Sequence, residues 1–471
     1  MPHRRPRQGQ VIDGFVLGTP LHEGGMASIF EVSHPDHAIP LLMKLPHLDG
    51  NDAGHIVSFE MEQMILPRLT GPHVPGFVAA QGFEAPNPYL VMERIPGRSL
   101  LARLRELPLP VEEVAAIGAK VALALAAIHR QRVSHLDLKP ANILFRETPD
   151  GLRGDAVLVD FGLSHHGRLP DLIAEEFRIP YGSAPYMSPG QAMGRRDDPR
   201  SDLFSLGVVM YQLVTGHLPF GEPLHLAAVR RRLWRDPHPP RRLRPEIPPW
   251  MQEIILRCLE VEPARRHLSA AQLAFELSNP ETIRLTPRAA RMRRDGWLTV
   301  LERRVNRDRS TGPRRQPAPT AHSAPIVVVA VDLREQTTPL AEALRASVGN
   351  VLRTLPGARV ACLNVLLDGY LTGDAPHDEA GRSARVQRLA ELRHWAAPLG
   401  LEEGRITFHV LEGSSAAEPL LEYAEANGVD HVVMGARANS MLRSMLGSVS
   451  GEVAARAPCS VTVVRPREGA A

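Results

Sequence analysis

Cysteine and lysine are scarce in this 471-residue chain, with three of each. Cys258, Cys362 and Cys459 lie far apart and form no Cys-x-x-Cys pair. That spacing excludes a disulfide scaffold or a cysteine zinc site and points to a reducing, cytoplasmic compartment. No stretch reaches the roughly eighteen uninterrupted apolar residues needed to cross a bilayer. The opening Met1-Pro-His-Arg-Arg-Pro-Arg has no apolar segment behind its charges, so a secretory signal is not expected. Arginine otherwise replaces lysine throughout, so a position that keeps lysine is a candidate for chemistry that needs a compact ammonium. Lys44, Lys120 and Lys139 are the three.

What is present reads as folded protein in more than one domain: 44% hydrophobic and 23% charged residues, over a length too great for one ordinary core. Residues 13–95 alternate β-like runs (Phe15-Val-Leu, Ser28-Ile-Phe-Glu-Val, Pro40-Leu-Leu-Met-Lys) with glycine punctuation, then a helix from about Ile56 to Leu69. Residues 111–130 carry a helical period, and helices continue to about 278. Net charge is only +3, but residues 281–323 hold eleven arginines against four carboxylates, and the segment ends in proline and alanine. It reads as a basic linker. Within it Trp297, Leu298, Leu301 and Val305 share a helical face; docking on a neighbouring domain is favoured there over anionic lipid or nucleic acid. From Ile326 five strand-like runs alternate with four helices, which implies a parallel sheet in an α/β sandwich. The expected boundaries are 15–278, 279–323 and 324–467.

The residues that carry chemistry lie in the first unit. Ser134-His-Leu-Asp-Leu-Lys-Pro-Ala-Asn-Ile-Leu-Phe places Asp137 and Asn142 five residues apart, and Asp160-Phe-Gly closes the apolar run Ala156-Val-Leu-Val. Lys44 ends a strand and Glu62 lies on a helix. Phosphoryl transfer needs an ammonium for phosphates, two oxygen ligands for Mg²⁺ and a carboxylate to orient the attacking hydroxyl.

These motifs resemble the protein kinase superfamily, specifically bacterial Ser/Thr kinases of eukaryotic type, over about residues 15–278. Tyr89-Leu-Val-Met-Glu93 matches the hinge, and Gly182-Ser-Ala-Pro-Tyr-Met-Ser-Pro precedes the substrate shelf. Ser201-Asp-Leu-Phe-Ser-Leu-Gly matches the central helix, and Arg266 closes the domain. The resemblance implies an α+β bilobal protein kinase fold that transfers the ATP γ-phosphate to protein Ser/Thr hydroxyls. It makes Asp137 the catalytic base and Lys139 the partner of the transferring phosphoryl group. Asn142 and Asp160 would hold Mg²⁺ or Mn²⁺; Lys44 would pair with Glu62; Leu21, Gly24, Gly25, Ile29 and Glu93 would surround ATP. His135 is expected to be a packed support for the catalytic loop.

The departures from the pattern are as informative. His22 and Ala27 replace the first and third glycines of the phosphate loop, leaving Gly24 and Gly25 for its turn. Leu42 replaces the small residue that the family usually places over adenine, which should narrow that pocket. Leu136 replaces the arginine of His-Arg-Asp, and Gly190 replaces the glutamate that normally meets Arg266. No threonine stands between Asp160 and Pro189, while Glu175 and Glu176 place fixed negative charge there and Ser183 takes the usual threonine position. The chemistry set is intact; the set that reads activation-loop phosphate is not. Activity independent of loop phosphorylation is therefore expected, with control from the linker and the second domain. The competing class is a pseudokinase scaffold that binds ATP without transferring phosphate.

Residues 325–466 resemble the universal stress protein family, through Ile326-Val-Val-Val-Ala-Val-Asp332 and His431-Val-Val-Met-Gly-Ala-Arg with Leu446-Gly-Ser-Val-Ser. This implies an α/β domain with a five-stranded parallel sheet. Asp332, Gly435, Gly447 and Ser448 would meet nucleotide, although Ala438 replaces the second glycine of the phosphate loop and eight residues separate it from Gly447. Docking, or a homodimer through Val461–Val464 as an edge strand, are the other roles it implies. Protein substrates bearing Ser or Thr are the implied partners, with no membrane span and no nucleic acid.

Overall fold

The structure, a computed structural model, describes residues 6–48, 52–147, 154–310, 324–333, 338–367, 383–402, 404–436 and 448–465. Gly447 and Ala438, the linker tail 311–323, and residues 441–447 of a final helix expected over 441–456 lie outside them.

Period-2 alternation builds the first lobe. Phe15 and Leu17 on the strand Phe15–Glu23, Phe30 and Val32 on Ala27–His34, and Leu41, Met43 and Leu45 on His37–Pro46 are all buried with Tyr89 and Val91 in one small core. The antiparallel sheet continues through Tyr89–Glu93 to Phe77–Gln81. Because Met43 and Leu45 face that core, Lys44 between them faces the opposite side. A helix, Ala53–Ile65, packs beside the sheet, its first turn capped by the Asp52 carboxylate accepting from Gly54 N at 2.8 Å. It stops at Ile65 rather than continuing to Leu69. Pro67 has no N–H to donate, so the chain tightens into a 3₁₀ turn over Leu66–Arg68.

The second lobe is helical. Val111–Arg130 matches its expected range and packs on Arg200–Thr215, where every residue from Ser201 to Thr215 except Gln212 is buried. A helix apolar all round belongs in the centre of a core. Each such Leu, Val or Met contributes about 1.5–3 kcal/mol by leaving water, so whatever this helix holds is held firmly.

The C-terminal unit is a parallel sheet in the order Ile406–Gly413, Arg359–Leu367, Ile326–Ala330, His431–Gly435, Ser460–Val464. Helices Thr338–Thr354, Ala384–Ala396, Ala417–Asn427 and Ser448–Arg456 cover its faces. The strand order reverses at Ile326–Ala330, opening a crevice at the carboxyl ends of the strands. Ser460–Val464 is one edge, as the sequence suggested. The opposite edge, with helix Ala384–Ala396, abuts the first unit. The basic helix spans Trp297–Ser310. It docks on the helical lobe through arginine rather than its apolar face: Arg303 pairs with Asp236 and Asp295, and Arg304 lies 5.7 Å from the Trp234 ring. Trp297, Leu298, Leu301 and Val305 stay exposed. No helix among the described residues is long and apolar enough to cross a membrane.

Candidate active site

Lys44, Glu62 and Asp160 meet between the lobes. Lys44 Nζ donates to Glu62 Oε2 at 2.6 Å and to Asp160 Oδ1 at 3.3 Å, and Phe161 N donates to Glu62 Oε1 at 3.2 Å. Glu62 is 2% exposed. Burial alone would depress the Lys44 ammonium, but Asp160 and Glu62 overcome it and hold the group above its usual pKa. The Lys44 charge keeps Asp160 ionised, its pKa below the carboxylate range, whereas burial raises Glu62. Asp160 adopts φ 67°, which turns its carboxylate out of the apolar run before it. Gly162 lies so close to the helix that a Cβ there would sit 2.1 Å from Ser58 Oγ, so only glycine lets these elements meet.

Asp137 is 6% exposed and hydrogen-bonded on both carboxylate oxygens. Lys139 Nζ donates to its Oδ2 at 2.7 Å, Asn142 Nδ2 to the same oxygen at 3.2 Å, and Ser183 N to Oδ1 at 2.8 Å. Lys139 also donates to Ser183 Oγ at 3.0 Å. The Ser183 hydroxyl thus contacts the catalytic loop directly. The Asn142 amide is committed through its nitrogen, to Asp137 O at 3.0 Å as well, which leaves its oxygen for a cation. The Asp160 side chain is 42% exposed, with Oδ1 shared with Lys44. Two hard oxygen donors on adjacent loops, beside an ammonium, are a donor set that could hold Mg²⁺ or Mn²⁺.

The loop itself is held by residues whose importance was not read from the sequence. Asp202, fully buried on the central helix, accepts from Leu136 N at 2.8 Å and from His135 N at 2.8 Å, and pairs with His129 Nε2 at 2.8 Å. Leu136, with φ 60°, is thereby fixed in a left-handed turn that aims Asp137. Gln191 Nε2 donates to Leu136 O at 2.5 Å and closes a capping box with Ser188. A lone carboxylate in an apolar helix, and Ser-x-x-Gln at a helix start, were the available signals. His135 is fully buried, with Nε2 against Val159 O at 3.1 Å and its ring 5.2 Å from Phe161. Arg266, with no glutamate at position 190, donates to the carbonyls of Glu260, Arg200 and Val261; burial lowers it to about 10.

The hairpin that would cover phosphates keeps Gly24 and Gly25 without a left-handed φ at either. Gly24 N donates to Ala27 O at 3.1 Å, and a Cβ on Gly24 would come 2.8 Å from His22 Nε2, so the replacement at 22 packs over the turn. Leu21 is exposed, at an irregularity in the pairing, and Ile29 lies directly across from Lys44. The Glu93 carboxylate is engaged by Arg146 at 2.6 and 3.1 Å, which lowers its pKa and leaves only its backbone for a nucleotide.

In the second unit, Asp332, Gly435 and Ser448 line one cavity of about 350 Å³ at the switch point, with Leu340, Asn364 and Trp395. Asn364 Oδ1 is buried there with no hydrogen-bond partner among the described residues, while its nitrogen donates to Val331 O. A buried acceptor of this kind awaits a donor.

Two lobes with this constellation between them define the class of the eukaryotic-type protein kinases. The chain belongs to the protein kinase family: residues 15–276 match the protein kinase domain, and residues 325–465 match the universal stress protein family. It is 34% identical over 264 residues to the serine/threonine-protein kinase pkn3 of Myxococcus xanthus, covering 54% of this chain and 48% of that one. It is 30% identical over 279 residues to PknL of Mycobacterium tuberculosis, covering 58% of this chain and 67% of the relative. The chain thus spans about half the length of pkn3. The PknI kinase domain of M. tuberculosis superposes with 23% identity and a TM-score of 0.45, over 58% of this chain and 98% of that structure.

Proposed function

We propose that the chain is a Ser/Thr protein kinase that transfers the γ-phosphate of ATP to hydroxyls of protein substrates. One observation carries this reading: Lys44, Glu62 and Asp160 are already joined at 2.6 and 3.3 Å, while Asp137, Lys139 and Asn142 share one hydrogen-bonded cluster. In this reading Lys44 would bind the α- and β-phosphates, and Asn142 and Asp160 would hold Mg²⁺, which would supply neutralisation of the phosphate charge. Asp137 accepts the proton of the incoming hydroxyl. Lys139, 2.7 Å from that carboxylate, meets the developing charge on the phosphoryl oxygens. In the C-terminal unit, the cavity around Asp332, Gly435, Ser448 and the Asn364 oxygen, which has no partner among the described residues, supports a nucleotide-sensing role. The free edge Ser460–Val464 is the surface for a homodimer.

Asp137→Asn tests the assignment. The variant should bind ATP like the parent and lose phosphate transfer by about 10²–10⁴-fold. Equal, undiminished transfer would remove Asp137 from the reaction. Equal absence in parent and variant, with ATP bound, would establish the scaffold alternative.

A further inference from the structure

A short helix, Leu172–Glu176, lies in the activation segment between Asp160 and Pro189. Its kinase side is riveted by Arg196, whose Nε donates to the capping Asp171 at 2.7 Å while Nη2 donates to Leu163 O at 3.0 Å. Its other side enters the stress-type domain. Glu175 is bound by Arg359 at 2.6 and 3.3 Å, by Tyr423 OH at 2.9 Å and by His409 Nε2 at 3.2 Å. Glu176 is bound by His409 Nδ1 at 2.9 Å and by Arg385 at 3.3 Å. The two carboxylates and the imidazole between them are almost wholly buried. The helix that carries Glu62 is gripped from the same domain. Arg393 donates to Glu60 at 2.6 Å, and Ser383 N donates at 2.8 Å to Leu48 O, just after the Lys44 strand rather than on the helix itself. Glu60 is 3% exposed, so without Arg393 it would be an uncompensated buried charge.

We propose that the C-terminal domain acts as a built-in activator: Arg359, Arg385, His409 and Tyr423 position the activation segment, and Arg393 positions the Glu62 helix. The proposal rests on the kinase reading and assigns its regulation. In a phosphorylation-dependent loop, a phosphate pairs with cations, the arginine before the catalytic aspartate among them. Here that residue is the buried Leu136. Two fixed carboxylates stand in for the phosphate, and cations from the second domain stand in for that arginine. The imidazole suits this place. Burial alone would lower it, but Glu175 and Glu176 raise it to about 9, so it is a cation at neutral pH between two anions. Both grips act on elements that carry site residues, since Glu60 and Glu62 lie on one helix and Phe161 N bonds Glu62.

The test uses full-length variants away from the nucleotide and catalytic residues. Glu175→Gln with Glu176→Gln should lower kcat for an added protein substrate tenfold or more while KM for ATP stays within about threefold. Arg393→Gln should do the same, and Arg393→Lys, which keeps a cation, should recover most of the loss. Hydrogen exchange should accelerate at residues 56–62 and 172–178 in the Gln variants. Unchanged kcat in these variants, or an Arg393→Lys chain as impaired as Arg393→Gln, would overturn the proposal. If the parent chain transferred no phosphate, the kinase reading would fail separately and exchange would decide the positioning. Faster exchange in the variants would support it, and identical exchange would end it.

Discussion

Asp202→Asn isolates the contribution of one buried carboxylate to the catalytic loop. Asp202 is fully buried and meets three donors: Leu136 N on one oxygen, His135 N and His129 Nε2 on the other, all at 2.8 Å. An asparagine of the same shape offers one acceptor and one NH₂, so at least one backbone N–H must face another donor. A hydrogen bond to a charged group contributes ~1.5–3 kcal/mol, and an orphaned buried donor costs ~1–3 kcal/mol more, giving about 3–5 kcal/mol in all. At ~2–4 °C per kcal/mol for a domain of this size, melting of the kinase unit should fall by about 10 °C. The damage should also reach the chemistry. Leu136 loses the contact that holds it at φ 60°, and Asp137 is the next residue. Thermal unfolding followed by circular dichroism, with kcat measured well below the transition, checks both. A melting point within about 2 °C of the parent and a kcat within twofold would refute the reasoning.

Further expectations follow from the same geometry. Phosphatase treatment that leaves a bare activation segment, verified by mass spectrometry, should leave activity within threefold; a tenfold loss restored by preincubation with ATP would contradict it. The contact between the domains should weaken in alkali. The His409 pKa is raised from 6.5 to about 9, so its contribution is complete below about pH 6.5 and lost as pH rises through 9. Glu175 is lowered from 4.5 to about 2, because Arg359 and His409 overcome its burial, so its contribution is complete above about pH 4.5 and lost as pH falls towards 2. Hydrogen exchange at 172–178 should therefore be slowest between about pH 4.5 and 6.5 after correction for intrinsic rate; no change up to pH 10 would argue against a charged imidazole there. Cys258 and Cys362 are buried and pushed up to about 12, so a thiol reagent at pH 8 should modify Cys459 first in the folded chain. Equal labelling of all three would contradict the packing.

Most of the architecture was legible because it rests on short-range periodicity. The alternation through Phe30, Val32, Leu41 and Met43 marks strands with one buried face, and the apolar run from Ile326 marks a strand buried on both. The helix at 111–130 and the order of strands and helices after 326 follow from the same signal. The end of the helix at Ile65 was missed because Pro67 outweighed an apolar pattern that continues to Leu69. Of the candidate site, local motifs marked Asp137, Asn142 and Asp160 because their spacing is fixed by one loop and one strand end. Asp202 stands in the central-helix motif with its role unread and Gln191 carries no mark, since both roles depend on contacts more than fifty residues away in sequence. Glu175 and Glu176 were noticed as charges, but their partners Arg359, Arg385 and His409 lie about 180 to 230 residues on. No periodicity reports such a meeting.

Phosphate transfer by the intact chain is the most direct test of the whole account. Full-length protein is incubated with [γ-³²P]ATP and generic protein substrates, with Mg²⁺, with Mn²⁺ and with EDTA, followed by phosphoamino-acid analysis. The account predicts label on serine and threonine that requires the divalent cation and disappears in Asp137→Asn. No label under any condition from a chain that still binds ATP, or label unaffected by Asp137→Asn, would contradict it.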